Sequence, residues 1–260
     1  KYFYVMKDIK IIEEKSFKYV ELGEGQPIVI LHGLMGGLSN FNCVFSFFPN
    51  HGYKIIMPVL PLYDKPIEET NVKDFAEYLN TFLKFKKINS TIVIGNSLGG
   101  HIGLLFTKLF FQKVKGLVLT GSSGLYENSM GNAYPKRGSY EYIKKKTEEV
   151  FFNPKVATKE LVDEVFETVN DRNKLIKTLT IAKSAIRHNM ANDLPELKVP
   201  SLIIWGKQDN VTPPSVAHEF NRLLPNSKLV WINDCGHAPM MEHPDVFNNS
   251  ILDWLKKSKL

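Results

Sequence analysis

Cysteine is nearly missing from this chain: Cys43 and Cys235 are the two thiols in 260 residues. Two cannot build the disulfide framework of a small secreted domain, so both are expected as free thiols in a reducing compartment, with a Cys43–Cys235 bridge as the alternative. Long apolar runs are missing as well. No stretch approaches the roughly 20 residues that span a bilayer, and the opening Lys-Tyr-Phe-Tyr-Val-Met-Lys-Asp has only a brief apolar patch. Neither membrane association nor a targeting segment is expected, and the protein reads as cytoplasmic. The seven histidines and two cysteines show no metal-ligand spacing, and Gly121-Ser-Ser-Gly124 does not fit a dinucleotide fingerprint, so neither metal nor nicotinamide cofactor is expected. Charge blocks are absent too. The chain has 33 Lys and Arg against 27 Asp and Glu, but the lysines are mixed with glutamates, and the densest run, Lys144 to Lys146, reads as a solvated helix face between Tyr142 and Glu148. Nucleic acid is not an expected partner.

What is present is alternation of strands and helices. Tyr2 to Ile12 and Ser16 to Leu22 read as an antiparallel pair, and Pro27 to Leu31 as a strand buried on both faces. A glycine-broken loop, His32 to Gly37, leads to a short helix around Asn40 to Phe47. Tyr53 to Met57 is the next buried strand, and Asn71-Val-Lys-Asp74 opens an amphipathic helix to about Phe85 as a capping box with Asp in the place of Glu. Strands Thr91 to Ile94 and Val114 to Thr120 flank a helix from Leu98 to Phe111. This order implies a parallel sheet with right-handed crossovers, an α/β fold. From Gly121 the alternation stops. A polar, glycine-rich loop is followed by helical patterns alone, over Tyr140 to Phe152, Thr158 to Val169 and Arg172 to Asn189. The sheet resumes with Ser201 to Trp205, a helix from Pro213 capped by Thr212, the strand Lys228 to Ile232 and a helix from Pro244 to Lys256. The chain therefore divides into a core, residues 1–124 and 196–260, and an all-helical insertion, residues 125–195.

The most informative stretch is Gly95-Asn-Ser97-Leu-Gly99, between a β-branched strand and an apolar helix. A serine on that bend has its hydroxyl lifted clear of the sheet, with helix N–H groups available to an oxyanion. The flanking glycines are needed because a Cβ there would collide with neighbouring backbone. A serine hydroxyl is a weak nucleophile until a base takes its proton, so a histidine and an orienting carboxylate are expected further along. Asp209, just past the strand ending at Trp205, and His237, in the loop after the next strand, fall at the sheet edge where ligand crevices form. The rivals are weaker on position: His218 lies inside a helix, His243 beside the helix-opening Pro244, and Asp234 close to His237 on its own loop. His32 reads as structural, His101 as packing, Cys235 as a small apolar filler.

His32-Gly33-Leu34, Gly95-Asn-Ser-Leu-Gly99, Trp205-Gly-Lys-Gln-Asp209 and Gly236-His237-Ala-Pro-Met-Met-Glu-His-Pro244 resemble, in form and order, the motifs of α/β-hydrolase-fold enzymes. The resemblance covers nearly the whole chain. It implies a mostly parallel eight-stranded sheet with helices on both faces, Ser97 as nucleophile, His237 as base, Asp209 as its partner, and an oxyanion hole from the backbone N–H groups of Leu34 and Leu98. It also implies that the helical insertion is a cap shaping the pocket, where Tyr126, Met130, Tyr134 and Arg187 are candidates to touch substrate. The expected chemistry is acyl transfer on a small molecule, first a carboxylic ester with a small or medium acyl group. The Gly-Asn-Ser elbow also resembles that of carbon–carbon bond hydrolases acting on ring-cleavage products. This chain departs from them: it has Leu34-Met-Gly-Gly37 in place of a Gly-Pro-Gly run and Ala238 in place of a tryptophan after the histidine. A ligand receptor on the same fold is the third reading, and oligomeric state stays open.

Overall fold

The structure, a computed structural model, describes residues 9–126 and 136–260. Eight strands, β1 (Ile12–Glu14), β2 (Phe17–Leu22), β3 (Gln26–Leu31), β4 (Tyr53–Pro58), β5 (Thr91–Asn96), β6 (Val114–Thr120), β7 (Ser201–Gly206) and β8 (Ser227–Ile232), form one sheet in the order β1-β2-β4-β3-β5-β6-β7-β8. The pairs β1–β2 and β2–β4 are antiparallel, and the remaining pairs, from β4–β3 across to β7–β8, are parallel. The helices are α1 (Asn42–Phe47), α2 (Val72–Phe85), α3 (Leu98–Leu109), α4 (Tyr140–Glu148), α5 (Lys159–Asn170), α6 (Arg172–Arg187), α7 (Pro214–Leu223), α8 (Pro239–Glu242) and α9 (Pro244–Ser258).

The continuous apolar strands are what make this arrangement possible. In register, Ile28 faces Ile92 and Val118 faces Leu202, while Val29 faces Val93 and Leu119 faces Ile203. Successive residues point to opposite faces, so each central strand feeds two cores. Val29, Val93, Leu119 and Ile203 pack with α2, α3 and α7. Ile28, Ile92, Val118 and Leu202 pack with α1 and α9. Along α2, Val72, Phe75, Ala76, Leu79, Phe82 and Leu83 are buried at helical spacing, and each large side chain so buried is worth about 1.5 to 3 kcal/mol. Asn71 caps that helix as expected, its Oδ1 accepting from the Asp74 N–H at 3.1 Å.

Several boundaries differ from the sequence reading. β1 covers only Ile12–Glu14, because Lys15 takes a left-handed turn at φ 54° straight into β2; residues 1–8 lie outside the described ones. α3 stops at Leu109, since Phe111 is exposed and opens a short 3-10 turn. α4 stops at Glu148, and the chain then bends to meet the His237 loop. α7 begins at Pro214 behind Pro213, and Thr212 does not cap it. Cys43 and Cys235 are free. Among the described residues no helix is long and apolar enough to cross a membrane.

Candidate active site

Ser97 stands between β5 and α3 with φ 55° and ψ −121°, a strained conformation for a residue with a Cβ. The surroundings hold it there. Its N–H donates to the Thr120 carbonyl at 3.1 Å, and its own carbonyl accepts from Gly100, His101 and Ser123 N–H at 3.0, 3.2 and 3.1 Å. The glycines on either side are sterically compulsory: a Cβ on Gly95 would lie 2.5 Å from the Gly99 carbonyl oxygen, and one on Gly99 would lie 2.1 Å from that of Leu31. A bend this sharp thus forms because two positions carry no side chain.

Asp209 and His237 meet at the C-terminal ends of β7 and β8. His237 Nδ1 lies 2.9 Å from Asp209 Oδ2, with both side chains buried. A carboxylate accepts, so Nδ1 carries the proton and Nε2 is left with its lone pair. The other donors to Asp209 come from its own turn: Val211 and Thr212 N–H to Oδ1 at 2.8 and 2.9 Å, and the Thr212 hydroxyl to Oδ2 at 2.9 Å. Thr212, which the sequence reading assigns to helix capping, is turned to Asp209 instead. Its signal was the spacing Asp-x-x-Thr, which lets a carboxylate gather the N–H groups two and three residues on.

The loop bearing His237 is clamped from both sides. Asn96 Nδ2 donates to the Thr120 and His237 carbonyls at 3.0 and 3.2 Å, and the His237 N–H donates to Val150 O at 2.9 Å. Glu242 completes the clamp, accepting from Gly236 N–H at 2.7 Å and from Phe152 and Asn153 N–H at 2.8 and 3.1 Å. A Cβ on Gly121 would lie 2.8 Å from His237 Nδ1, so no side chain fits there.

Ser97 and His237 open on one cavity of about 370 Å³, walled by Leu34 and Met241 from the core and by Val150, Phe151 and Leu161 from the segment between β6 and β7. Leu34 lies on the loop after β3, while Leu98 is buried as the first residue of α3, whose N–H has no acceptor inside the helix. Tyr126 is exposed and is not among the wall residues. Arg187, in the last turn of α6, reaches a separate surface cleft with Glu68 and His188. Met130 and Tyr134 lie outside the described residues. Lys146 is the basic side chain on the wall, and it is paired with Glu149 at 2.6 Å.

The remaining histidines have structural settings. His32 accepts from Leu60 N–H through Nε2 at 3.3 Å and so donates from Nδ1 to the Gly33 carbonyl at 2.8 Å, and burial lowers its pKa, keeping it neutral. His101 is buried and its pKa is pushed down to about 3, first by desolvation and then by the neighbouring His188. His218 packs on Trp231, and His243 donates to the Asp234 carbonyl at 2.8 Å. Burial raises the Cys235 thiol, which suits a filler and not a nucleophile. No cluster of three or more His, Cys, Asp or Glu able to hold a metal occurs among the described residues.

A mostly parallel sheet with a serine on a strand-to-helix elbow defines an α/β-hydrolase-fold enzyme. The chain belongs to the alpha/beta hydrolase fold family, whose profile matches residues 26–244. It is 27% identical over 256 residues to 2-hydroxy-6-oxo-6-(2'-aminophenyl)hexa-2,4-dienoic acid hydrolase of Metapseudomonas resinovorans, covering 92% of this chain and 87% of that one. It is 25% identical to Lipase 1 of Psychrobacter immobilis, covering 92% of this chain and 80% of the lipase. Among solved structures it resembles MGS-MChE2, an alpha/beta hydrolase enzyme from the metagenome of Mar Chica lagoon sediments, Morocco, with 52% identity, 96% and 100% coverage and a TM-score of 0.81.

Proposed function

We propose that Ser97, His237 and Asp209 act as a nucleophile, base and orienting acid in hydrolysis of a carboxylic ester with a small or medium acyl group. The observation that carries this reading is the buried 2.9 Å His237–Asp209 contact beside a strained serine on the same cavity. In the reaction, Ser97 Oγ bonds to the carbonyl carbon while His237 Nε2 takes its proton. The oxyanion rests on the Leu34 and Leu98 N–H groups, and the alcohol leaves with the proton from His237. Water, deprotonated by the same ring, then splits the acyl-enzyme to acid and free serine. Helices α4 to α6, within residues 125–195, serve as a cap over this site. Leu161 and Val165 of α5, with Val150 and Phe151 of the segment between α4 and α5, stand in the cavity wall and support that role.

The second reading is carbon–carbon bond hydrolysis, supported by the names of curated relatives such as the dienoic acid hydrolase. Acid substrates of that kind need a cation to receive the carboxylate, whereas the basic wall residue here is neutralised by Glu149. Para-nitrophenyl acetate and butyrate should be turned over by the wild type and not by Ser97→Ala. Turnover of a ring-cleavage dienoate at a higher kcat/KM than any ester would shift the assignment to the second reading, and a Ser97→Ala enzyme that still hydrolyses esters would end both.

A further inference from the structure

Beside the Ser97 cavity lies a second one of about 240 Å³, and the two share Leu34, Met35, Gly36 and Val165 as walls. The second is roofed by α5 and floored by the apolar side chains Val59, Leu60 and Leu62. At its rim stands one acidic residue, Glu164. From α5 this carboxylate reaches the loop after β3: a Cβ on Gly37 would lie 3.7 Å from Glu164 Oε1. Among the described residues Glu164 makes no hydrogen bond and no ion pair, and its nearest basic neighbour, Lys174, sits 5.9 Å over the Tyr63 ring at the cavity edge. The polar groups deeper in the cavity are already engaged, His32 with Leu60 and Gly33, and the Tyr63 hydroxyl with Thr178.

We infer that this second cavity receives the distal arm of the substrate, and that Glu164 selects an apolar arm ending in a hydrogen-bond donor, hydroxyl or ammonium, against one ending in carboxylate. The inference rests on the ester reading above and narrows its substrate class. Three observations favour it. The floor and walls are apolar, with Val59, Leu60, Leu62 and Val165 placed to cover a chain of methylenes. Of the residues that line the cavity only Glu164 is charged, and its carboxylate accepts, so a donor gains a charge-assisted bond and an anion meets like charge. Desolvation raises the Glu164 pKa, opposed by Lys174 and reinforced by Glu167, as its place at the cavity rim entails.

The test uses para-nitrophenyl esters of one acyl length that end in methyl, hydroxyl, ammonium or carboxylate. For the wild type, kcat/KM of the ammonium ester should exceed that of the carboxylate ester by about tenfold or more at low salt, a difference that about 1.4 kcal/mol supplies, and the ratio should shrink as salt is added. Glu164→Gln should bring the ratio close to one, and Glu164→Lys should invert it. The hydroxyl ester separates hydrogen bonding from charge: its advantage over the methyl ester should persist at high salt. Thr168→Phe, which fills the cavity from the next turn of α5, should lower the rate ratio of the longer ester to acetate. Unchanged ratios in Glu164→Gln and Thr168→Phe would overturn the inference. If the wild type hydrolyses no ester, the catalytic reading fails by itself. The subsite is then read by titrating Ser97→Ala with alkyl alcohols, amines and carboxylates calorimetrically. Equal affinities for amine and carboxylate would refute the role of Glu164, and amine preference abolished by Glu164→Gln would sustain it.

Discussion

Replacing Thr212 by valine removes one hydroxyl and almost no volume, which makes it a clean probe of how Asp209 is held. The hydroxyl donates to the same Oδ2 that accepts from His237, at 2.9 Å in each case, and it lies 3.3 Å from His237 Nδ1. In the variant Asp209 keeps the two backbone donors on Oδ1 and the ring on Oδ2. A hydrogen bond to a charged group contributes about 1.5 to 3 kcal/mol, and the site is buried, so folding stability should fall by about 2 kcal/mol. In a chain of this size that lowers Tm by roughly 4 to 8 °C. Function should respond in a specific direction. With one donor gone, Oδ2 carries more negative charge toward the ring, the imidazolium is favoured, and the acid limb of the kcat/KM profile moves to higher pH, by up to about one unit given 1.36 kcal/mol per unit. Thermal melts and a pH–rate series on a chromogenic ester, with Thr212→Ser as the hydroxyl-retaining control, measure both effects. An acid limb unmoved in Thr212→Val, or moved equally in Thr212→Ser, would refute this account of Asp209.

Gly99→Ala places a methyl 2.1 Å from the Leu31 carbonyl oxygen, so the elbow must shift; loss of more than about 3 kcal/mol in denaturant melts, or no soluble protein, is expected, and a wild-type midpoint would contradict the steric argument. Glu242→Gln leaves an oxygen for one strand of the clamp but removes the charge that three N–H groups share; kcat should fall with little change in KM, as measured by steady-state kinetics, and a pure KM effect would tell against the clamp. His101 has its folded pKa lowered to about 3 from 6.5, so the unfolded chain binds more protons between those values and stability declines as pH falls through that window. By pH 5 the loss should reach about 2 kcal/mol, and His101→Gln should flatten the stability profile between pH 7 and 5; an equal slope in variant and wild type would dismiss His101 as the source.

How much of this was legible in the residues follows from how local each cause is. The elbow was legible because its requirement is steric and falls within five residues: Gly95 and Gly99 must lack a Cβ wherever the chain makes that bend. The parallel sheet was legible because strands buried on both faces are apolar throughout, as Ile28 to Leu31 and Ile92 to Ile94 are. Thr212 was misread because two local rules compete for one hydroxyl. Before a proline-led helix a threonine looks like a cap, but Asp209 three residues upstream is a stronger acceptor than any helix N–H is a donor, and the hydroxyl turned toward the charge. Arg187 was placed near substrate on chemistry alone; the phase of α6 decides where it goes, and the last turn of that helix faces the start of α2, with Ser184 accepting from Val72 N–H at 3.3 Å.

Glu242 and Val150 show the least legible kind of residue. Val150 shares no motif with His237, and Glu242 lies in the run from Gly236 to Pro244 with no sign of what its carboxylate holds, yet together they fix the backbone of Gly236 and His237 by bonds of 2.7 and 2.9 Å. Val150 comes from the segment just past α4, and Glu242 also grips Phe152 and Asn153 in that segment. The loop that carries His237 is thus tied to the helical segment between β6 and β7 and not to the sheet alone. Substitutions within the insertion that reshape the pocket therefore act on two quantities at once, the walls that a substrate touches and the position of the imidazole. A chain built this way cannot exchange its helical segment freely: a transplanted segment has to supply a carbonyl at position 150 and two N–H groups at 152 and 153, whatever its pocket residues, to hold the His237 loop in place.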